Sequence, residues 1–225
     1  MNIGLLSFYT PEWQDLADIT LGNKRRYCFK HKYQHIIKVG PYSSPDIYYA
    51  VDRLKYIRDL FSAPECNLTH LFVLNIGTLV MNPHTKVEQF LTQKQCDHCG
   101  ERVDLKDFYI TEAWNGLNAG TFIIRNSDWS LRWLNCIIDR ALVINHPWHE
   151  QQAMIEEYRN PEWASNIEIL PHPSINSMYY DLYGGMKCAP QHFKKGDFIL
   201  HTPGRPKAER IDIFTSDRVK EDMVQ

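Results

Sequence analysis

The chain has 225 residues and a mass of 26.5 kDa, and its 25 Lys and Arg against 27 Asp and Glu leave a net charge of −2. That charge argues against a protein that binds nucleic acid by neutralising phosphates, which needs a basic face. The hydrophobic content of 44% excludes global disorder, and no apolar run approaches the roughly 20 residues of a membrane-spanning helix.

The beginning of the chain predicts a strand rather than a secretion signal, because no basic segment precedes its short apolar run. We therefore expect a soluble, cytoplasmic protein with one domain over residues 1–225. We expect neither a membrane partner nor a nucleic-acid partner.

The first third of the chain alternates between strand and helix patterns. The predicted elements are a strand at 3–8, a helix from Pro11 to His31 with Thr10 as its cap, a strand at Gln34–Val39, a helix from Asp46 and a strand at Leu71–Leu74. This order predicts an α/β sheet whose parallel strands are joined by right-handed crossovers. Ligands bind such sheets at the carboxyl ends of the strands, which here means Tyr9-Thr10 and residues 75–77.

The rest of the chain is less regular. It predicts a short helix that ends near Thr92, a polar loop at 93–106, a strand within 117–125, a helix capped by Asn126, a helix from near Pro147, a strand at 197–201 and a frayed helix or tail from Thr215. The apolar stripe of the helix after Asn126 includes Trp129 and Trp133.

Six cysteines without a secretion signal favour free thiols over disulfides. Cys96 and Cys99 have the spacing of a zinc-binding pair, and Cys188 with His192 is the sole candidate for a second pair. A turn with two free thiols is the preferred interpretation, and a composite zinc site is the alternative.

Several segments, in the right order, resemble glycosyltransferase family 34, which includes plant xyloglucan xylosyltransferases and fungal Golgi galactosyl- and mannosyltransferases. The specific blocks are LNAGTFIIRNSDW at 117–129 and HPWHEQQA at 146–153. Weaker matches lie at Asn23-Lys24, Tyr27-Cys28, 31–33, Arg53-Leu54, 71–83 and 198–204. The resemblance covers roughly residues 3–204.

This resemblance implies a GT-A fold, an α/β architecture with a single Rossmann-like mixed sheet flanked by helices. It also implies a nucleotide-sugar donor, usually UDP-linked, a glycan hydroxyl as acceptor, and retention at the anomeric carbon. Eukaryotic members are anchored in Golgi membranes, so a chain without an anchor suits a virus- or bacterium-encoded member or a truncated form.

One departure from the family pattern concerns the metal site. Family members end their third strand with Asp-x-Asp, where carboxylates hold a divalent cation that neutralises the leaving diphosphate. Here the corresponding residues are Asn75, Ile76 and Gly77. His201 matches the histidine that completes the family site, and one neutral imidazole binds Mn²⁺ or Mg²⁺ poorly. We therefore expect at most a weak metal site at His201.

Three interpretations of this departure stay open. Cations could replace the ion, and the candidates are Arg205, Lys207, Lys24 and Arg53. A metal could bind weakly through the donor phosphates and His201. The chain could also be a degenerate relative or an engineered variant, a module that binds a sugar nucleotide or glycan without turning it over.

The resemblance assigns roles to residues of this chain. Those expected at the nucleotide and its diphosphate are Tyr9, Thr10, Lys24, Arg53, Asn75, Gly77, Arg205 and Lys207. Tyr9 would stack on the base, although it could equally be a core aromatic before a helix. Asn118, Gly120 and Trp148 are expected to face the acceptor or sugar, and a hairpin without ligand contact is the alternative for the first two.

Glu150 and Gln151 are the predicted catalytic pair. In the family an acid and an amide here grip the donor sugar, and a carboxylate near the anomeric carbon would stabilise a developing oxocarbenium ion. An ordinary first-turn acid is the alternative for Glu150. His149 replaces an acid common in the family and is a candidate for proton transfer. Trp114 and Tyr179-Tyr180 could stack on sugar rings or lie in the core.

Overall fold

Two β-sheets organise the protein. The computed structural model describes residues 1–45, 48–91, 105–179 and 192–224. The main sheet has the order β2-β1-β3-β6-β5-β7 and the smaller sheet the order β4-β9-β8. The strands are β1 (Ile3–Tyr9), β2 (Gln34–Val39), β3 (His70–Leu74), β4 (Thr78–Val80), β5 (Phe108–Ala113), β6 (Gly116–Arg125), β7 (Ile167–Leu170), β8 (Ser177–Met178) and β9 (Ile199–His201).

Helices connect and cover these strands. They are α1 (Gln14–His31), α2 (Tyr49–Ser62), α3 (Asp128–Val143), α4 (His149–Glu157), α5 (Pro161–Ala164), α6 (Lys207–Thr215) and α7 (Asp217–Asp222). Short 3-10 helices span Pro11–Trp13 and Val87–Phe90. None of the helices in the described part of the chain is both long and apolar enough to span a membrane.

The predicted α/β fold with a mixed sheet flanked by helices is confirmed. Strand β1 pairs in parallel with both β2 and β3, as the β-α-β-α-β pattern predicts. Strand β6 then joins β3 in the antiparallel direction, which makes the sheet mixed. All five residues of β3 are buried, as expected of a central strand with both faces covered. The smaller three-stranded sheet is an addition to the single sheet that the resemblance implies.

Alternate residues of the central strands enter two different cores. Leu71 and Val73 of β3 pack with residues of α2, α3 and α4, such as Leu54. Phe72 and Leu74 point to the opposite face, where they pack with Tyr27 of α1 and with β9. The period-2 alternation of a strand therefore places helix layers on both sides of the sheet.

Several element boundaries differ from those predicted. Helix α2 begins at Tyr49, while Asp46 lies outside the described residues. Helix α3 is capped by Ser127, whose Oγ accepts from the Ser130 amide at 3.2 Å, and Asn126 instead donates to the Leu68 carbonyl at 3.1 Å. The α3 cap shifts by one residue because the adjacent Asn126 and Ser127 side chains can both cap a helix.

Three further predictions concern the end of the chain, the Thr10 hydroxyl and the cysteines. Part of the predicted tail is helix α7, and Val219 within it is 2% exposed. The Thr10 hydroxyl does not cap the first turn and instead contacts the Glu12 carboxylate. Cys96, Cys99 and Cys188 lie outside the described residues, so the zinc alternative stays a prediction.

Candidate active site

A cavity of about 500 Å³ opens beside the carboxyl end of β3. That volume falls in the range of small-molecule sites in proteins. Seven residues predicted for the site line it, namely Asn75, Asn118, Gly120, Trp148, Glu150, Gln151 and His201. The cavity therefore joins the end of β3, the β6 strand, the start of α4 and the end of β9.

The Lys24 side chain of α1 supports the loop that follows β3. It is fully buried, and its Nζ donates to the Asn75 carbonyl at 2.8 Å. Burial lowers the pKa of the Lys24 ammonium to about 7. Lys24 does not line the cavity, and its contact with the Asn75 carbonyl makes it a positioning residue for this loop, while its expected contact with phosphate stays a prediction.

Three amides present hydrogen-bonding groups in the cavity. The Asn118 Oδ1 accepts from the Gly120 amide at 3.0 Å, and the Gln151 Oε1 accepts from the Ala119 amide at 3.1 Å. Each side chain is thereby oriented by the backbone of β6, and its amide nitrogen is the group left to bind a ligand. Asn75 lines the same cavity from the end of β3.

His201 packs against Gly120 on the cavity wall. Its Nδ1 lies 3.0 Å from the Asn176 Oδ1, and burial with nearby cations lowers its pKa to about 3, so the ring is neutral. A Cβ on Gly120 would lie 2.2 Å from the His201 Cε1. The glycine is thus required by the close approach of the imidazole, in addition to any approach of a ligand.

We expect Gly120→Ala to destabilise the protein by roughly 1–3 kcal/mol, because the added methyl overlaps the His201 ring in a packed wall. Equilibrium denaturation would measure the change. Gly22→Ala in α1 is the matched control, since its Cβ would meet nothing closer than 3.7 Å and alanine favours a helix. Equal stabilities of Gly120→Ala and the unsubstituted protein would contradict this packing.

Glu150 and Arg53 form a buried ion pair beneath the cavity. The Arg53 Nη2 lies 3.6 Å from the Glu150 Oε1 and donates to the Ala119 carbonyl at 3.0 Å. The Glu150 Oε2 has no partner among the described residues, and Glu150 lines the cavity. Burial raises the pKa of Glu150 to about 7, although Arg53 opposes the shift. Arg53 is 2% exposed and pairs with Glu150, and its expected role in nucleotide binding stays a prediction.

Helix α4 begins with an unusual backbone conformation at His149. This residue has φ 33°, which is uncommon for a residue with a Cβ, and its ring stacks on Tyr48 at 4.3 Å. His149 does not line the cavity, so proton transfer by its imidazole is not supported by this placement. The Trp148 ring does line it and packs edge-on against Trp114, with 6.2 Å between the ring centroids.

Other predicted donor residues lie away from the cavity. The Tyr9 ring is buried in the core with Leu16, and its hydroxyl donates to Gln14 at 3.0 Å. The 5% exposure of Tyr9 agrees with its alternative as a core aromatic, and the stacking role stays a prediction. Thr10 lies beside it and does not line the cavity.

The two cations after His201 are also engaged elsewhere. Arg205 pairs with Glu209 at 2.9 Å, and Lys207 pairs with Asp15 at 2.9 Å. Neither side chain lines the cavity, and their expected contact with the donor stays a prediction. Gly77 does not line it either, and its carbonyl accepts from the Thr202 amide at 3.0 Å.

The lining residues that were not predicted from the sequence include Tyr48, Tyr49 and Arg210. The adjacent tyrosines before an apolar helix were a usable aromatic signal. Arg210 lies beyond the last family motif, so the sequence offered no comparable sign. In the part of the chain that the structure describes, no three His, Cys, Asp or Glu side chains converge in a way that could hold a metal ion.

Comparisons with known proteins agree with the resemblance seen in the motifs. A family model described as the galactosyl transferase GMA12/MNN10 family matches residues 96–210. An uncharacterized alpha-1,2-galactosyltransferase of Schizosaccharomyces pombe is 22% identical over 89% of this chain. The probable alpha-1,6-mannosyltransferase MNN10 of Saccharomyces cerevisiae is 26% identical over 89% of it. The alignments cover 67% and 58% of these two relatives.

Solved structures support the fold. A glycosyltransferase involved in the glycosylation of the major capsid of PBCV-1 superposes with a TM-score of 0.69 at 18% identity, over 95% of this chain and 98% of that one. Mouse xyloside xylosyltransferase 1 superposes with a TM-score of 0.51 at 10% identity, over 91% of this chain and 98% of that one. At these identities the likeness concerns the fold alone.

Proposed function

Because the chain belongs to the galactosyl transferase GMA12/MNN10 family, we propose that it moves a sugar from a nucleotide-sugar donor, most simply UDP-linked, to a glycan hydroxyl. The prediction of a glycosyltransferase is confirmed at the level of this family. The donor, the acceptor and the stereochemical course belong to the proposal.

The composition of the cavity wall carries the proposal. Asn75, Asn118 and Gln151 bring three amides to one space, and Trp114 and Trp148 border it. Amides match the paired donors and acceptors of sugar hydroxyls, and indole rings stack on the apolar faces of pyranoses. A wall of this kind is suited to a carbohydrate more than to a planar apolar ligand.

Glu150 is the group proposed to stabilise the reacting sugar. Its Oε2 has no partner among the described residues although the side chain is buried, so it is available to a developing positive charge at the anomeric carbon. Glu150 is the one carboxyl that lines the cavity in the described part of the chain. For the retention that the family resemblance implies, a single carboxylate held by Arg53 favours front-face departure over double displacement, and the leaving phosphate oxygen then takes the acceptor proton.

A second candidate function rests on the loop after β3. Asn75 and Gly77 stand where the family has carboxylates, which also suits a module that binds a sugar nucleotide or glycan without turnover. The two candidates share the cavity and differ in the chemistry at Glu150.

A ligand panel separates these candidates. We expect UDP-linked sugars to raise the melting temperature, since a ligand that binds only the folded state stabilises it. We also expect slow donor hydrolysis, with NMR showing that the released sugar first keeps the donor's anomeric configuration. Donor binding without turnover would favour the module, and a panel without any stabilising nucleotide or sugar nucleotide would contradict both.

A further inference from the structure

The residues at the end of β3 do not fit a hard divalent cation. Mg²⁺ and Mn²⁺ prefer several oxygen ligands, usually carboxylates. Asn75 supplies one amide oxygen at most, Gly77 supplies no side chain, and His201 offers a single ring nitrogen, Nε2, because its Nδ1 is engaged by Asn176. Glu150 is held by Arg53. Together with the lack of any converging group of ligands among the described residues, this makes a protein-held metal a poor fit.

The Arg210 guanidinium lies where a side chain of residue 77 would otherwise be. A Cβ on Gly77 would be 2.7 Å from the Arg210 Nη1 and 3.6 Å from its Cζ. The Gly77 φ is not in the left-handed region, so the backbone conformation does not require a glycine there. The Arg210 guanidinium therefore occupies space that a side chain of residue 77 would share.

Arg210 is fixed in this position by contacts that leave its outer nitrogens for a ligand. Its Nε donates to the Arg205 carbonyl at 2.7 Å, and its Cζ lies 5.0 Å from the centroid of the Trp13 ring. These contacts use the inner edge and one face of the guanidinium. The side chain lines the same cavity as Asn75, and its Nη1 lies beside Gly77 in the loop after β3.

The charge of Arg210 is not neutralised within the described residues. It forms no ion pair there within 4.0 Å, whereas Arg53, Arg205 and Lys207 each have a carboxylate partner. Burial lowers the pKa of Arg210, yet a guanidinium stays protonated at any physiological pH. Arg210, Lys24 and Arg53 together also lower the pKa of His201, so three cations act on this end of the cavity.

We propose that the Arg210 guanidinium binds the diphosphate of a nucleoside-diphosphate-linked donor in the place where the family holds a divalent cation, so that this chain binds its donor without a metal. The inference rests on the proposed transferase function and names the anion-binding residue of the same cavity. Arginine suits the task because its planar array of N–H groups donates two parallel hydrogen bonds to phosphate oxygens.

The same contact would serve the transfer step. The bond from the anomeric carbon to the phosphate oxygen breaks, and its electron pair stays on that oxygen. A new bond forms between the acceptor oxygen and the anomeric carbon, and the hydroxyl proton passes to the phosphate oxygen. The products are the glycoside and a nucleoside diphosphate, whose added charge the guanidinium stabilises.

Calorimetric titration with UDP and with inorganic pyrophosphate tests the proposal. In excess chelator we expect both to bind the unsubstituted protein, and Mn²⁺ to change the Kd of UDP by less than about threefold. Arg210→Gln should weaken both by at least about tenfold, because a charge-assisted pair is lost. Arg210→Lys should lie between, since it keeps the charge and loses the paired geometry. Arg132→Gln, an exposed arginine of α3, is the matched control.

Gly77→Asp gives a second variant that does not depend on Arg210→Gln folding. The new carboxylate would meet the flexible end of Arg210 and neutralise it, so UDP binding in chelator should fall by a similar factor. Adding Asn75→Asp and Arg210→Ala to this variant should make UDP binding depend on Mn²⁺.

The possible outcomes distinguish the role of Arg210 from the transferase function on which it rests. UDP binding that requires Mn²⁺ in the unsubstituted protein, or that survives in Arg210→Gln with an unchanged Kd, would overturn the role of Arg210 and leave the transferase function standing. Failure of UDP, GDP and their sugars to bind with or without Mn²⁺ would instead overturn the proposed function and the inference that rests on it.

Discussion

Glu150→Gln should lower turnover by about 100-fold or more while donor affinity stays within about threefold. The amide keeps the size of the side chain and removes the negative charge that faces the anomeric carbon. Because burial raises the pKa of Glu150 to about 7, the carboxylate takes up a proton as the pH falls below that value. At pH values below about 7 the turnover of the unsubstituted enzyme should therefore decrease. The residual turnover of Glu150→Gln should not show this decrease.

The measurement is kcat and donor Kd between about pH 5.5 and 9, a range that brackets the Glu150 pKa of about 7. Glu162→Gln, an exposed glutamate of α5, controls for the loss of one negative charge. If the Glu150 variant turned over at the normal rate, the carboxylate would have no part in the reaction. A loss confined to donor affinity would make Glu150 a binding residue instead.

Arg53→Met should destabilise the fold by about 3–5 kcal/mol at neutral pH, because it leaves the Glu150 carboxylate buried without a cation. It also removes the donor to the Ala119 carbonyl in β6. Methionine keeps much of the apolar stem that packs beside Phe122, so the effect reports mainly the lost charge and hydrogen bonds. Urea denaturation measures the loss.

The free energy of unfolding of Arg53→Met should depend on pH. Without Arg53 the folded-state pKa of Glu150 rises further above its unfolded value, so the folded state binds the proton more readily. Stability of Arg53→Met should therefore recover as the pH falls from 8 to 5, and its deficit should narrow. The double variant Arg53→Met with Glu150→Gln should regain part of the loss at pH 8. A deficit that does not change with pH or with the second substitution would contradict the ion pair.

Part of the candidate site could be predicted because the family motifs carry short-range information. Asn118, Gly120, Trp148, Glu150, Gln151 and His201 lie in matched blocks, and all six line one cavity. Each block places its residues on a single element, and the elements meet where parallel strands end.

The cations could not be assigned in the same way. Lys24, Arg53, Arg205 and Lys207 all have the charge that a diphosphate needs, yet each is committed to a carbonyl or carboxylate of another element. The sequence does not show which group a charged side chain will contact, since the contacting residue can lie more than a hundred residues away. Lys207 and Asp15 are such a pair.

By itself the sequence determined the family, the order of the elements and the parallel pairing of the first three strands. These follow from local periodicity and short motifs, which depend on residues close together in the chain. Only the tertiary structure decided which cation faces the cavity. Arg205 pairs locally with Glu209, whereas Arg210, five residues later in the helix that packs on α1, lies against Gly77. That choice depends on the direction in which a packed helix presents its side chains, a property of the assembled fold.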